Sequence, residues 1–213
     1  MDALMTNFPL IMRGLAVTLE VSLLSLLLGT LLGFAGGLAM LYAGPWLRWP
    51  ARAYVDLVRG VPQLVLIFAI FYGMPTIGAQ VSAFTAGVLA LGFFCGAHVS
   101  EIVRGGLDSI PRGQSDAAKA IGLTFRQRLR LVLLPQAIAR ILPAWVNTAV
   151  EVVKASSLVS LVSVIDLMMA VQQIVGRTRQ TLLLYAVAAM LYFLINYAVS
   201  VVGRRLERHF AHG

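Results

Sequence analysis

The chain has 213 residues, 59% of them hydrophobic and 12% charged, and carries a net charge of +8. An ordinary soluble domain holds about 25% charged residues, whereas no Asp, Glu, Lys or Arg occurs here from Gly60 to Ser100. Such a run excludes a soluble core and suits two membrane spans of about 20 residues each. The positive excess then reads as cytoplasmic loops and not as a nucleic-acid surface.

Five spans are predicted, an all-α polytopic membrane protein with one transmembrane domain over residues 1–213. The opening "MDALMTNFPLIM" lacks a basic segment, and the apolar run after it is too long for a cleavable signal peptide. The first span runs from Gly14 to Ala43, broken only by Glu20. At 1.5 Å per residue it exceeds a hydrocarbon core of about 30 Å and must tilt or protrude. The second, Ala53 to Tyr72, enters through "DLVRGVPQ" with a kink expected at Pro62. The third follows the turn "GMPTIGAQ" and covers Ser82 to Val103. After a basic loop from Arg104 to Arg140 come the fourth, Ile141 to Val164, and the fifth, Thr181 to Gly203. Between these last two, "DLMMAVQQIVGRT" reads as a short helix at the outer surface or re-entrant, with Asp166 suited to cap it.

Charge orients these spans. Arg48, Arg52 and Arg59 lie between the first and second. Arg104, Arg112, Lys119, Arg126, Arg128, Arg130 and Arg140 lie between the third and fourth, and Arg204, Arg205 and Arg208 follow the fifth. The N-terminus is therefore expected outside and the C-terminus in the cytoplasm. Gly29, Gly33 and Gly37 recur every four residues, as do Gly92 and Gly96. Small residues on one helical face let helices approach closely in lipid, within the chain or between subunits. The single Cys95, in the apolar "GFFCGA", reads as a packing residue.

The basic loop contains "SDAAKAIGLTFRQRLRLVLLPQA". Ser115 and Asp116 suit a helix start, and Gly122 suits its end. Thr124 to Gln127 has capping-box form and opens a second helix, which Pro135 would end or kink. Within the loop, Asp116-Ala117-Ala118, three residues, Gly122, nine residues and Val132-Leu-Leu134-Pro135 follow in order.

That arrangement resembles the coupling loop of ABC importer permeases, with Asp116 in place of Glu and Val132 in place of Ile. "RGVPQLV", "SEIVRGGLDSIPRGQSDAAKAIG", "LPQAIARILPAWVN" and "KASSLVSLV" extend the resemblance to permease subunits for polar amino acids, in order along nearly the whole chain. His98 and Val61 depart from the family pattern, which more often has Tyr and Thr there. The resemblance implies a bacterial inner-membrane chain whose loop docks into a cytoplasmic ATPase dimer. It further implies a second permease subunit, identical or homologous, and an external amino-acid-binding protein. Asp116, Ala117, Ala118, Gly122 and Arg126 would form the coupling surface. ATP and Mg would bind the partner, because both lysines of this chain, preceded by Ala118 and Val153, lack the Gly-Lys-Ser/Thr of a phosphate loop.

"NTAVEVVKASS" places Asn147, Glu151 and Lys154 on one helical face. Glu151 falls about 15 Å into the fourth span, where an ionised group costs about 2.5–3.5 kcal/mol and needs a partner or a wet cavity. Either Glu151 pairs with Lys154, or the two offer both signs to a zwitterion in transit. Glu20 is a second pathway candidate unless it reaches the outer interface or a neighbouring helix. His98 is a third, against the plainer role of a hydrogen-bonded packing residue. No metal site is expected. An ion-coupled transporter or channel would explain the buried charges but not the loop. A membrane enzyme finds no nucleophile–base set, since His209 and His212 sit in the tail. A membrane assembly scaffold is the remaining rival. The acidic Glu20, Glu151 and Asp166, set against one membrane lysine, lean towards a cationic substrate.

Overall fold

The computed structural model describes residues 2–211, with side chains described for residues 5–210. His212 lies outside these. Every regular element among the described residues is helical. Helix α1, Asp2–Tyr42, begins well before the predicted span and runs for 41 residues, about 62 Å. Helix α4, Ala83–Asp108, starts at Ser82, whose side chain accepts from the Thr85 amide.

These two helices lie side by side and parallel, because their contacts advance together. The Ser25 hydroxyl donates to the Val88 carbonyl at 3.2 Å, Gly29 faces Cys95, Gly33 faces Val99 and Gly37 faces Val103. A Cβ at Gly37 would lie 2.7 Å from that of Val103, and one at Gly92 would lie 2.7 Å from Leu28 Cδ2. At Gly29 and Gly33 an added carbon would overlap Cys95 and Val99 outright. Both glycine series are thus used inside the chain, and Cys95 is fully buried between them. Lipid tails give apolar helices no reason to associate, so this close van der Waals contact is what joins them.

The stretch predicted as the second span is not one helix. Helix α2, Pro45–Arg59, and helix α3, Gln63–Thr76, meet at 110°. The Gly60 amide turns back to the Asp56 carbonyl at 3.1 Å, closing α2. Pro62 then has no N–H to continue a helix and holds extended backbone at φ −58°, ψ 141°. Helix α2 is fastened to α4 by Tyr54, whose hydroxyl donates to the Phe93 carbonyl at 2.6 Å. Among the described residues, four helical stretches are long and apolar enough to cross a membrane, and α2 with α3 makes a fifth only as a bent pair.

The basic loop departs from prediction in two places. Helix α5, Arg112–Ala120, starts after Pro111, three residues before Ser115, so Ser115 and Asp116 lie within it and not at its tip. Helix α6, Phe125–Arg128, does open with the predicted capping box, but Pro135 does not stop it. The helix widens into a π turn at Leu129–Leu133 and continues as α7, Leu134–Ala155. A π turn makes room where proline's ring would meet the carbonyl of the preceding turn.

Beyond α7 the chain tightens into a 3₁₀ segment, Ser156–Val162, in place of the α-helix expected to Val164. Ser156, Ser157 and Ser160 donate to the carbonyls of Val153, Lys154 and Ser157 at 2.7–2.8 Å, three residues back in each case. Helix α8, Leu167–Thr178, is capped as expected by the fully buried Asp166, which accepts from the Met169 amide at 2.9 Å and the Tyr192 hydroxyl at 3.2 Å. Burial pushes its carboxyl above the usual carboxylate range despite those hydrogen bonds. Helix α8 rests on the first part of α1: the Leu167 amide donates to the Thr18 hydroxyl at 3.1 Å, and a Cβ at Gly14 would lie 2.7 Å from the Asp166 carbonyl oxygen. Helix α9, Thr181–Ala211, closes the bundle against α7, with Gly203 on Val146.

If the α1–α4 contact holds the bundle, Gly33→Leu must separate the helices. Overpacking of this kind costs about 1–3 kcal/mol. Thermal unfolding in detergent should show that loss for Gly33→Leu and almost none for Gly73→Ala, where an added Cβ meets nothing. Equal stability of the two variants would show that the glycines are not what sets the approach.

Candidate functional site

Two groups of the polar residues singled out in the sequence are exposed together, one within the membrane-spanning body and one in the basic loop. The first lies on α7. Gly106 packs on Ile141 and Gly87 on Val159, so α7 and its 3₁₀ extension run antiparallel to α4. Glu151 lies between those two levels, about 15 Å along the helix from Ile141. Asn147, Glu151 and Lys154 are all exposed, on the single face expected of them.

Glu151 and Lys154 nevertheless make no ion pair with each other. The two ion pairs found among the described residues both belong to Arg104, which meets Glu101 at 2.7 Å and Asp108 at 3.8 Å. Glu151 accepts instead from Gln63 Nε2 at 3.0 Å, from the first residue of α3. Lys154 turns the other way, into a groove between α7 and α9 lined by Tyr192, Asn196, Tyr197, Ser200 and Arg204. The bend between α2 and α3 therefore delivers Gln63, and the end of a helix, to the level of Glu151. Gln63 was missed in the sequence. Its signal was a lone amide directly after Pro62 in an uncharged run.

Two other candidates lie elsewhere. Glu20 is exposed on α1 beside Leu19, Leu23 and Leu24. The Ser25–Val88 bond puts it level with the first turn of α4, at the end of the bundle away from the basic loop. His98 is half-buried, its Nδ1 at 3.0 Å from the Phe94 carbonyl and its ring 4.2 Å from that of Phe94. That is the geometry of a packing residue.

In the basic loop, Gly122 has φ +82°, the left-handed region that residues with side chains avoid. Its amide donates to the Lys119 carbonyl at 3.0 Å, and the Leu123 amide to the Ala118 carbonyl at 3.1 Å. Together these bonds close α5 with a Schellman turn. Asp116, Ala117 and Gly122 face outward, and Ile121 beside them is 77% exposed. Ala118 points inward and is buried, so it packs α5 on its own chain and offers no outer surface. Arg126 is exposed, beside Gln127, Arg130 and Leu131. Ties hold this surface to the bundle: Arg128 Nη1 donates to the Ser115 hydroxyl at 3.2 Å, and Arg140 donates to the carbonyl and hydroxyl of Ser109. Behind α5 a cleft of about 320 Å³ opens between Tyr42, Asp108, Phe125 and Arg128.

Known proteins are similar to this chain in sequence and in fold. The family model described as "Binding-protein-dependent transport system inner membrane component" matches residues 25–212. Two Bacillus subtilis (strain 168) proteins are similar over nearly their whole length. "Probable amino-acid ABC transporter permease protein YckA" is 35% identical, covering 97% of this chain and 91% of that protein. "L-cystine transport system permease protein TcyB" is 35% identical, covering 96% and 89%. A crystal structure of an amino acid ABC transporter with histidines aligns with a TM-score of 0.88 at 32% identity, over 97% of this chain and 96% of that one.

Because Glu151 is held by an amide and not by Lys154, neutralising it breaks no ion pair. Glu151→Gln keeps an acceptor for Gln63 and should leave thermal stability in detergent within about 0.5 kcal/mol. A loss of about 3–5 kcal/mol, the cost of breaking a buried pair, restored by adding Lys154→Met, would contradict this geometry.

Proposed function

The chain belongs to the family of inner membrane components of binding-protein-dependent transport systems, and we propose that its exposed α7 face forms half of a translocation pathway for a polar amino acid. It is the membrane-spanning permease subunit of an ABC importer. The observation that carries the pathway is a row of polar and ionised side chains, Asn147, Glu151 and Lys154, open at mid-depth and unpaired with one another. A charge at such depth is tolerable only against a wet cavity or a partner.

A second permease chain, identical or homologous, covers this face and encloses the path. There Glu151 accepts from the substrate's ammonium group, Lys154 attracts its carboxylate, and Asn147 and Gln63 supply neutral hydrogen bonds. Similarity to permeases named for amino acids, L-cystine among them, supports this substrate class. The lean towards a cationic substrate now rests on Glu151 alone, since Asp166 is used as a cap and Glu20 lies at the outer end.

ATP and Mg are bound by two cytoplasmic ATPase chains, which dock on the outward surface of α5 around Asp116, Ala117 and Gly122, flanked by Arg126. An external binding protein delivers the amino acid to the opposite side. The N-terminus lies outside and the C-terminus in the cytoplasm of a bacterial cell. Movement of the docked loop reaches the substrate face along one helical path, because α6, the π turn and α7 are continuous from Phe125 to Ala155. The same continuity gives an ion-coupled carrier no use for the loop.

Proteoliposomes holding the full transporter test this reading. Gly122→Val strains a left-handed position by about 1–2 kcal/mol and adds bulk to the docking surface, while Asp116→Lys reverses its charge. Both should lower ATP-driven amino-acid uptake and the ATPase retained on purification, with the permease still inserted. Normal uptake and normal ATPase retention in both would mean that α5 is not the docking element.

A further inference from the structure

We propose that the groove between α7 and α9 is a carboxylate site, in which Lys154 and Arg204 hold the acid group of the transported amino acid as it passes the α7 face. The proposal rests on the permease reading above and adds α9 to its path. The two helices run antiparallel. Gly203 packs on Val146, while Lys154, further along α7, shares the groove with Tyr192 and Asn196, which come earlier on α9. Val146 and Val150 face α9, and at about 100° per residue Asn147 and Glu151 come next around α7. Lys154 lies between these two sectors, so the groove opens directly beside the exposed polar face.

The groove holds about 450 Å³, within the range of small-ligand sites. Asn196, Ser200 and Arg204 recur every four residues on α9, with Tyr197 beside them. Arg204 is next to Gly203, and Lys154 is eight residues beyond Val146, so the two cations are about 12 Å apart along the helices. No carboxylate lines the groove, and neither cation makes a hydrogen bond or ion pair among the described residues.

Between the cations, the Ser200 hydroxyl donates to the Asn196 carbonyl at 2.9 Å, and Asn196 Nδ2 donates to the Tyr192 carbonyl at 2.8 Å. Asn196 Oδ1 is buried without a partner, an acceptor left open as at a site that a polar guest or water completes. Tyr197 stacks its ring on Phe193 at 5.9 Å and is 56% exposed, its hydroxyl unbonded among the described residues. The free groups on this wall are therefore an ammonium, a guanidinium and a phenol, all donors suited to a carboxylate. A lipid phosphate offers the same chemistry. Lys154 decides for the substrate, because it belongs to the groove and to the substrate face at once.

Ser200→Cys, in the groove, and Leu194→Cys, at a residue 51% exposed and about 200° round α9 from Asn196, provide the test in a Cys95→Ala background of the assembled transporter. Two thiosulfonate reagents of similar size, one bearing a sulfonate and one a quaternary ammonium, are each normalised to their rate on 2-mercaptoethanol. The sulfonate should modify position 200 faster than the ammonium reagent. Arg204→Gln, which removes no bond among the described residues, should lower that preference about fivefold, as expected for one unit charge close to the reagent. A mixture of polar L-amino acids should slow the reaction at 200, and the same mixture as α-carboxamides should not. If position 200 is no more reactive than 194, the groove is dry or covered by lipid. If the anionic reagent is not preferred, or Arg204→Gln leaves the preference unchanged, the cations do not make the site. Anion preference without slowing by amino acids assigns the groove to another anion, lipid phosphate included, and equal slowing by the amides shows that the acid group is not what is held. Each of these results rejects the proposal. ATP-driven uptake by the same transporter in proteoliposomes separates the two readings: uptake with an inert groove leaves the pathway on α7, whereas no uptake contradicts the permease reading itself.

Discussion

Close approach of α1 and α4 is the constraint from which the rest of the bundle takes its position. Both helices are apolar, and in lipid that apolarity does nothing to join them. What joins them is the absence of side chains at Gly29, Gly33, Gly37, Gly92 and Gly96, where each missing Cβ is replaced by an atom of the facing helix. Three further helices, α2, α7 and α8, each also reach this pair through a polar contact at a different height. Tyr54 brings α2 to the Phe93 carbonyl, Trp145 Nε1 of α7 reaches the Thr30 hydroxyl at 3.0 Å, and Thr18 takes the first amide of α8. Each of these donors or acceptors would be costly in hydrocarbon if left alone. They therefore fix where along the glycine seam each helix sits.

One face is left incomplete by this arrangement. Helix α7 is buried against α4 through Ala137, Ile141 and Val152, and it carries Asn147, Glu151 and Lys154 on its opposite side. Those groups are separated from one another by their partners, Gln63 on one flank and the α9 groove on the other. A face that is polar at mid-depth and has no internal ion pair is poorly suited to lipid. It is well suited to a shared aqueous path. The helix bearing that face begins in the basic loop, so loop and face belong to one continuous element.

Much of this was legible in local chemistry. The Gly122 turn, the Thr124–Gln127 capping box and the Asp166 cap each depend on a few adjacent residues with one good conformation. The shared face of Asn147, Glu151 and Lys154 follows from helical spacing. Features that depend on distant parts of the chain were not legible. A kink was expected at Pro62, but not a 110° bend that divides the predicted second span into two helices. Pro135 reads as a stop or a kink, and nothing near it announces the π turn that makes room for it. Spacing placed Lys154 beside Glu151, but it could not foresee that Gln63 would arrive from another helix. Nor could composition tell whether the glycines served this chain or a neighbouring one, because both uses demand the same small residues.

The shared path is the claim that most needs direct measurement. Single cysteines at Asn147, on the open α7 face, and at Leu23, on the exposed apolar face of α1, can be placed in a Cys95→Ala background in the assembled transporter. A small water-soluble thiol reagent should modify position 147 quickly and position 23 slowly, and the transported amino acid should slow modification at 147 alone. Slow modification at 147 and no protection by substrate would mean that this face is packed or lipid-covered, and that the pathway runs elsewhere.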